Sequence, residues 1–251
     1  MQEIVVGRLA SDRKKFGKRG TILIGKHFIK MGQTTSMSGE VYLDVAGAHV
    51  VFICGKRGGG KSYTMGVIAE GFEMLEEEVK NNLSIILLDT MGIYWTMKYP
   101  NKQESDLLEP WDLEPKGMPI VIYTPHQYFD EYKKKGIPTD FPFSLEASMI
   151  DQTDWCLAFK QDKYSPVGIL ISRIILKLKD EKEKYSIEDI IKEVAGDEKA
   201  EKNTRQATES MFLMAKGWGV FTDKGTDFSE LAKGGQTTVL DVSCYATMPG
   251  G

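Results

Sequence analysis

Short apolar runs separated by longer stretches of mixed polarity are the dominant pattern along this chain. The runs are rich in β-branched side chains and are bounded by glycine, proline or charged residues, which is typical of strands buried in a parallel sheet. Phe141–Met149, with proline near its start, is typical of an edge strand. The runs predicted as buried strands are His49–Cys54, Ser84–Asp89, Pro119–Thr124 and Thr237–Val242.

Helical periodicity fills the intervals between several of these runs. Apolar side chains recur at helical spacing after Ser62, and Ser165 and Ser186 are typical N-cap residues at the start of further helical segments. Strands and helices in this alternation predict an α/β fold with a parallel, doubly wound sheet. The predicted helices follow Ser62 and span residues 165–178, 186–196 and 203–216.

The N-terminal part has a different character. Three segments with alternating or apolar β patterns are punctuated by glycine: Ile4–Leu9, Gly20–Lys30 and Glu40–Val45. They predict a small, barrel-like β unit ahead of the α/β core. We therefore expect two domains, with residues 1–46 forming the β unit and residues 47–251 forming the core.

Composition narrows the class of protein. The chain of 251 residues is 41% hydrophobic and 27% charged, as in ordinary soluble globular proteins. No apolar run approaches the ~20 residues of a membrane span, and the N-terminus lacks a signal-peptide pattern, which predicts a cytoplasmic protein. Cys54, Cys156 and Cys244 are far apart and fit neither a zinc pattern nor a disulfide framework. Cys54 is expected to be buried in its strand.

Charge is distributed unevenly. Residues 1–61 carry 11 Lys and Arg against 4 Asp and Glu, whereas residues 62–251 carry 21 against 32. Part of the basic excess is the run Arg13–Lys15 with Lys18 and Arg19, which we interpret as a solvated loop between strands. Contact with a phosphate backbone is the alternative. The whole chain lacks the basic stripe of a dedicated nucleic-acid-binding module.

Residues 55–62, GKRGGGKS, match the phosphate-binding pattern G-x-x-x-x-G-K-[ST] without a substitution. Glycines let the backbone turn tightly, so that its N–H groups can surround an anion at a helix N-terminus. Lys61 can reach the β- and γ-phosphates, and the Ser62 hydroxyl can bind Mg²⁺. The pattern lies between a predicted strand and a predicted helix, as it must. The residues expected to bind ATP are Gly55, Arg57, Gly58, Gly59, Gly60, Lys61, Ser62 and Tyr63.

Two predicted strands end in an acid. Nucleotide hydrolases of this type need a carboxylate at a strand end to hold Mg²⁺ through water. Asp89 and Asp241 both qualify, but neither is followed by Glu. We prefer Asp89 as the catalytic and Mg²⁺-associated acid, beside Lys61. A structural role at a strand terminus or cap remains open for both carboxylates.

Asp89–Gly92 also spells D-x-x-G, a form seen in small GTPases. A GTPase should add a guanine-reading N-K-x-D motif after a later strand. Asn101-Lys102 is the Asn-Lys pair of the chain, and Gln103-Glu104 follow it instead of the required pattern. Guanine specificity is therefore disfavoured.

The residues around the P-loop resemble those of the HerA/FtsK superfamily, most closely the archaeal HerA-like ATPases with a small β-barrel ahead of the motor core. Leu88–Tyr94 is similar to the family's Asp-x-x-Gly-Glu-Tyr segment, although Ile93 stands where Glu is common. The resemblance covers most of the chain, and only the P-loop is individually specific. The segments that carry it are Gly39–Val45, His49–Ile53, Gly55–Ser62 with Thr64, Leu88–Tyr94, Phe141–Phe143 and Gly235–Ser243.

This resemblance implies that the parallel, doubly wound sheet is of the P-loop NTPase (RecA/FtsK-like) type. It further implies an ATPase that uses ATP and Mg²⁺ to translocate or unwind DNA. It also implies a ring homo-oligomer, expected to be a hexamer, and a nuclease partner. The family's Asp-Glu pair follows a strand similar to Thr237–Val242, and its arginine finger comes later. Because the chain stops at Met248–Gly251, we expect an incomplete motor core that binds nucleotide weakly and hydrolyses little by itself.

Other function classes remain open. The runner-up is a nucleotide-dependent switch or signalling NTPase with no DNA role, in which Asp89–Gly92 senses the γ-phosphate. A small-molecule kinase would need a phosphoacceptor pocket and lid arginines, and the sequence offers no clear set. Arg173 and Arg205 are candidates for inter-subunit arginines, but we interpret both as helix-surface residues.

Overall fold

The computed structural model describes residues 3–32 and 34–246, without the side chains of residues 29, 31 and 34–38. The described strands are β1 (Ile4–Val6), β2 (Thr21–Met31), β3 (Thr34–Asp44), β4 (Ile85–Asp89), β5 (Ile120–Pro125), β6 (Phe141–Phe143) and β7 (Thr237–Asp241). The described α-helices are α1 (Ala10–Phe16), α2 (Lys61–Glu73), α3 (Glu77–Lys80), α4 (His126–Lys134), α5 (Gln152–Ala158), α6 (Pro166–Glu181), α7 (Ile187–Gly196), α8 (Lys202–Lys216) and α9 (Phe228–Leu231).

The first three strands form a small sheet of their own, in the order β1-β3-β2. β1 lies parallel to β3, and β2 forms a long antiparallel hairpin with β3. The predicted N-terminal β unit is therefore present. The basic run Arg13–Lys15 lies in helix α1, so the loop interpretation is wrong for these residues, whereas Lys18 and Arg19 lie in the turn before β2. Alanine, arginine and lysine favour a helix here, and Gly17, at φ 58°, ends it.

The other four strands form a parallel sheet in the order β4-β7-β5-β6. The Ile85 amide donates to the Gln236 carbonyl (3.0 Å), and the Val242 amide donates to the Asp89 carbonyl (2.9 Å). From the first bond to the second, the residue numbers rise in β4 and also in β7, so the two strands run in the same direction. A parallel sheet with helices in its connections confirms the predicted α/β, P-loop NTPase-like class.

The segment predicted as an edge strand is only partly a strand. β6 pairs in parallel with β5 at the edge of the sheet, where Pro142 is tolerated because an edge leaves one side of the strand unpaired. Leu145 then forms an isolated bridge to Phe221, and Ala147–Met149 is a 3₁₀ turn. The strand prediction for the rest of Phe141–Met149 is therefore wrong.

The run His49–Cys54, predicted as a buried strand, has no regular secondary structure and pairs with no strand in the described part of the chain. Val50 is fully exposed and Phe52 is 87% exposed. Cys54 is also exposed, so its predicted burial is wrong as well. An apolar run indicates that a segment can be buried in a sheet, but it carries no information about which neighbouring strand would bury it.

The three helices predicted after residue 150 are present as α6, α7 and α8, whereas α5 and α9 were not predicted. The Ser165 hydroxyl accepts the Gly168 amide (3.1 Å) at the start of α6. Ser186 and Asp189 form a reciprocal capping box at the start of α7. These helices surround an apolar core that includes Trp155, Leu170, Ile171, Ile174, Ile175, Leu178, Ile190, Val194 and Phe212.

The described residues divide into two compact units. The P-loop unit comprises residues 3–87, 93–121 and 232–239, and the helical unit comprises residues 88–92, 122–231 and 240–246. The expected domains, 1–46 and 47–251, stay a prediction. None of the helices in the described residues is long and apolar enough to cross a bilayer. The chain end at Met248–Gly251, on which the expectation of an incomplete core rests, lies outside the described residues.

Candidate nucleotide-binding site

The residues before α2 form a tight turn whose geometry depends on glycine. Gly58 and Gly60 have φ values of 78° and 79°, in the left-handed region that glycine adopts without steric cost. The Gly59 amide donates to the Lys56 carbonyl (3.0 Å), and a Cβ atom on Gly59 would lie only 3.0 Å from that oxygen. The three consecutive glycines of the motif therefore fix the path of the loop.

Lys61 is the first residue of α2, and its side chain reaches back over the turn. Its Nζ donates to the Lys56 carbonyl (2.9 Å). The Gly60 carbonyl accepts the amide (2.8 Å) and the hydroxyl (3.0 Å) of Thr64, which fixes the first turn of the helix. A helix N-terminus and an ammonium group both attract anions, so their positive potentials add at this loop.

The loop and the beginning of α2 are open to solvent. Arg57 and Ser62 are exposed, and Tyr63 is 70% exposed. A serine hydroxyl directly after the loop is an oxygen donor of the kind that Mg²⁺ accepts next to phosphate oxygens. The residues present therefore fit a nucleoside triphosphate with its Mg²⁺ in ligand type and accessibility.

The body of α2 is anchored on the N-terminal sheet. Phe72 is buried, and a Cβ atom on Gly71 would lie 2.8 Å from the Ile22 Cβ of β2, so the helix and the strand approach as closely as glycine allows. At the first turn of α2, the Ser62 carbonyl accepts a hydrogen bond from the Tyr94 hydroxyl (3.2 Å). Tyr94 is 7% exposed and holds the Ser62 backbone from the side. Sequence reasoning missed this role, although Tyr94 belongs to a segment it singled out.

Asp89 ends β4 and is 1% exposed. Its Oδ1 accepts the amides of Met91 (3.1 Å) and Gly92 (2.8 Å), so the carboxylate closes its own turn. Gly92 has a φ of 64°, and a Cβ atom there would lie 2.7 Å from the Ser243 Oγ. In this conformation the Gly92 amide is engaged by Asp89, whereas a γ-phosphate sensor of the D-x-x-G type needs it for the nucleotide.

Asp241, at the end of β7, is buried as deeply as Asp89 and is also 1% exposed. Its Oδ1 accepts the amide (3.0 Å) and the hydroxyl (2.6 Å) of Ser243, and the Ser243 Oγ lies 3.0 Å from the Tyr132 hydroxyl. Burial raises the pKa of Asp241, the hydrogen bonds from Ser243 oppose this, and the neighbouring Asp89 raises the pKa further. The sequence indicated each acid at a strand end, but not the Ser243 and Tyr132 contacts, which have no motif.

The structure brings some of the predicted site residues together and separates others between the two units. Residues 55–63 form one continuous feature of the P-loop unit, whereas Asp89 belongs to the helical unit. The catalytic role of Asp89 and its role at Mg²⁺ therefore stay predictions. Arg173 binds both carboxylate oxygens of Asp197 (2.7 and 2.9 Å), and Arg205 donates to the Asp197 carbonyl (2.8 Å). Both arginines thus have structural partners within their own chain.

Comparison with known proteins gives one result. The family model described as "Helicase HerA, central domain" matches residues 29–246, which include the P-loop, Asp89, Asp241 and all four strands of the parallel sheet. No curated protein and no solved structure matches the chain. A match over this length shows membership, and it agrees with the resemblance seen around residues 39–64 and 88–94. This chain belongs to the family of the HerA helicase central domain.

Proposed function

We propose that this protein is a motor ATPase of the HerA/FtsK type that couples ATP hydrolysis to the translocation or unwinding of DNA. The observation that carries the proposal is the glycine turn at residues 55–60 with Lys61 folded over it. Family membership supports an ATPase in general. The DNA substrate and the ring-shaped homo-oligomer, expected to be a hexamer, belong to the proposal.

Each residue of the loop has a defined task in this function. The backbone N–H groups of residues 57–61 surround the phosphates, and Lys61 exchanges its contact with the Lys56 carbonyl for the β- and γ-phosphate oxygens. The exposed Arg57 and Tyr63 border the bound nucleotide. Bound Mg²⁺, with Ser62 as its ligand from the loop, neutralises charge that develops on the phosphates. Asp89 is proposed to orient water near the γ-phosphate.

The nucleotide-binding part is tested by Lys61→Ala with a fluorescent ATP analogue. Loss of the ammonium group removes a charged partner of the phosphates, so the dissociation constant should rise at least about tenfold, or about 1.4 kcal/mol. Lys116→Ala is the matched control, because Lys116 is an exposed lysine of the same unit, remote in sequence from the loop. Equal affinities of both variants and the parent would contradict the proposed role of the loop.

The motor part is tested by the rate at which the full-length protein hydrolyses ATP, with and without double-stranded DNA. A translocase should hydrolyse ATP faster on DNA, and the Lys61→Ala variant should lose this stimulation. An unstimulated rate, combined with nucleotide-dependent binding to another protein, would replace the motor by the switch NTPase. Unchanged hydrolysis by Asp89→Asn would remove Asp89 from the proposed site while leaving the loop in place.

A further inference from the structure

A cleft of about 570 Å³ lies in the helical unit, apart from the P-loop residues. We call it the α4–α7 cleft. Its lining combines an apolar floor with a charged rim. The floor includes Ala147, Ile187 and Phe221, and the charged or titratable residues of the rim are His126, Asp130, Glu188, Lys216 and Asp223.

The walls of the α4–α7 cleft are held by hydrogen bonds. The Gln127 amide at the start of α4 donates to the Gly219 carbonyl (3.1 Å). The Leu145 amide donates to the Val220 carbonyl (2.8 Å), and the Leu145 carbonyl accepts the Thr222 amide (3.1 Å). These bonds fix the backbone segment that carries Phe221. The capping box at the start of α7 fixes the opposite wall. The cleft is therefore a property of the folded unit and not of one side-chain rotamer.

The residues that line this cleft include three acids, Asp130, Glu188 and Asp223, and one lysine, Lys216. Lys216 pairs with Glu188 (2.8 Å), so these two charges cancel. Asp130 and Asp223 are exposed, and neither carboxylate makes an ion pair or a hydrogen bond in the described part of the chain. Two free carboxylates beside an apolar floor fit a partner that presents cations next to an apolar side chain.

Helix α1 presents that combination. Lys14 and Lys15 are exposed and make no ion pair with any residue that the structure describes. Phe16 is 47% exposed, and the Lys15 Nζ lies 4.9 Å from the centroid of its ring. The helix also lies in the segment that carries the positive excess of the chain, while the cleft lies in the segment that carries the negative excess.

We propose that the α4–α7 cleft is a subunit interface that receives the Lys14–Phe16 segment of a second copy of this chain. Lys14 and Lys15 face Asp130 and Asp223, and Phe16 covers the apolar floor. Each copy has one cleft and one such helix, so the contact is head-to-tail and can close a ring. The inference rests on the self-association proposed above and names the surfaces that produce it.

The test is charge reversal, measured by sedimentation velocity. Asp130→Lys with Asp223→Lys should raise the dissociation constant of self-association about tenfold at ~50 mM salt, and Lys14→Glu with Lys15→Glu should do the same. An equimolar mixture of the two reversed chains should associate again, because every cleft then meets a helix of opposite charge. The effect should shrink at ~500 mM salt.

Matched controls are Asp180→Lys and Lys116→Glu, exposed residues outside both surfaces, which should leave self-association unchanged. Far-UV circular dichroism of every variant checks its folding, and the mixture experiment separates a misfolded variant from a lost contact. A chain that stays monomeric, reversals that change nothing, or a mixture that fails to recover overturns the proposal. Loss on cleft reversal but not on helix reversal also overturns it, because another segment then occupies the cleft. ATP binding by such a chain would leave the nucleotide-binding proposal standing.

Discussion

Gly92 has one role predicted from its sequence motif and another role in the structure. In the sequence it completes D-x-x-G, which predicts a sensor of the γ-phosphate. In the structure its φ of 64° and its approach to Ser243 make it the glycine that lets the turn after β4 lie against the end of β7. The amide that would sense a phosphate donates to Asp89. A backbone requirement therefore explains the residue without any contact to nucleotide.

Gly92→Ala is expected to lower the free energy of unfolding by about 1–2 kcal/mol from the left-handed conformation alone. The contact of 2.7 Å with the Ser243 Oγ adds to this loss unless the hydroxyl turns away. Urea unfolding followed by circular dichroism measures the difference. Gly196→Ala is the control in the same unit, since a Cβ atom there meets no atom within 4 Å. Equal effects of the two substitutions would contradict the importance of the turn.

Among the elements, the run at residues 49–54 departs most from its sequence pattern. Its β-branched residues predict burial, yet the structure leaves Phe52 almost entirely in solvent. Phe52→Ala should therefore change the free energy of unfolding by less than about 0.5 kcal/mol. Phe72→Ala, in the buried face of α2, should lower it by about 3–5 kcal/mol. If urea unfolding showed a loss of similar size for both variants, Phe52 would be buried, as the sequence pattern predicts.

Helix α7 offers a test of its N-terminal cap through pH. A hydrogen bond from Lys182, and to a smaller extent those from Ser186, lower the pKa of Asp189 to about 2, below the ordinary value of about 4. A lowered folded-state pKa stabilises the protein above the unfolded-state value, and this stabilisation is lost as pH falls through the folded-state value. Asp189→Asn should therefore be less stable than the parent near neutral pH, and the difference should vanish between about pH 4 and pH 2.

Urea unfolding at several pH values measures this difference. Asp180→Asn on α6 is the control, because Asp180 is exposed and has no partner among the residues that the structure describes. Near neutral pH its difference from the parent should be smaller than that of Asp189→Asn. A constant difference for Asp189→Asn over the same range would show that the carboxylate of Asp189 is not the stabilising group.

For the molecule as a whole, the roles of residues that act on near neighbours in the sequence could be predicted. Strand pairing and side-chain contacts between distant segments could not. Ser165, Ser186 and the glycines of the P-loop act through neighbours a few residues away, so their roles can be inferred from spacing. Whether residues 49–54 pair with another strand, and which side chains Ser243 contacts, depends on residues far along the chain. Tyr94 is intermediate, since its segment was recognised while its hydrogen bond to Ser62 was not.

The close contact between Gly71 and Ile22 bears on how such proteins can diverge. The stretch that the family shares begins at residue 29, inside β2, whereas the P-loop helix rests on a residue seven positions earlier. The segment that the family model matches and the unit that packs around α2 therefore have different boundaries. An exchange of N-terminal segments between relatives would have to bring a side chain that fits over Gly71. A chain shortened to begin at residue 47 would instead expose the buried face of α2 to water, and the loop at the start of that helix would lose its support.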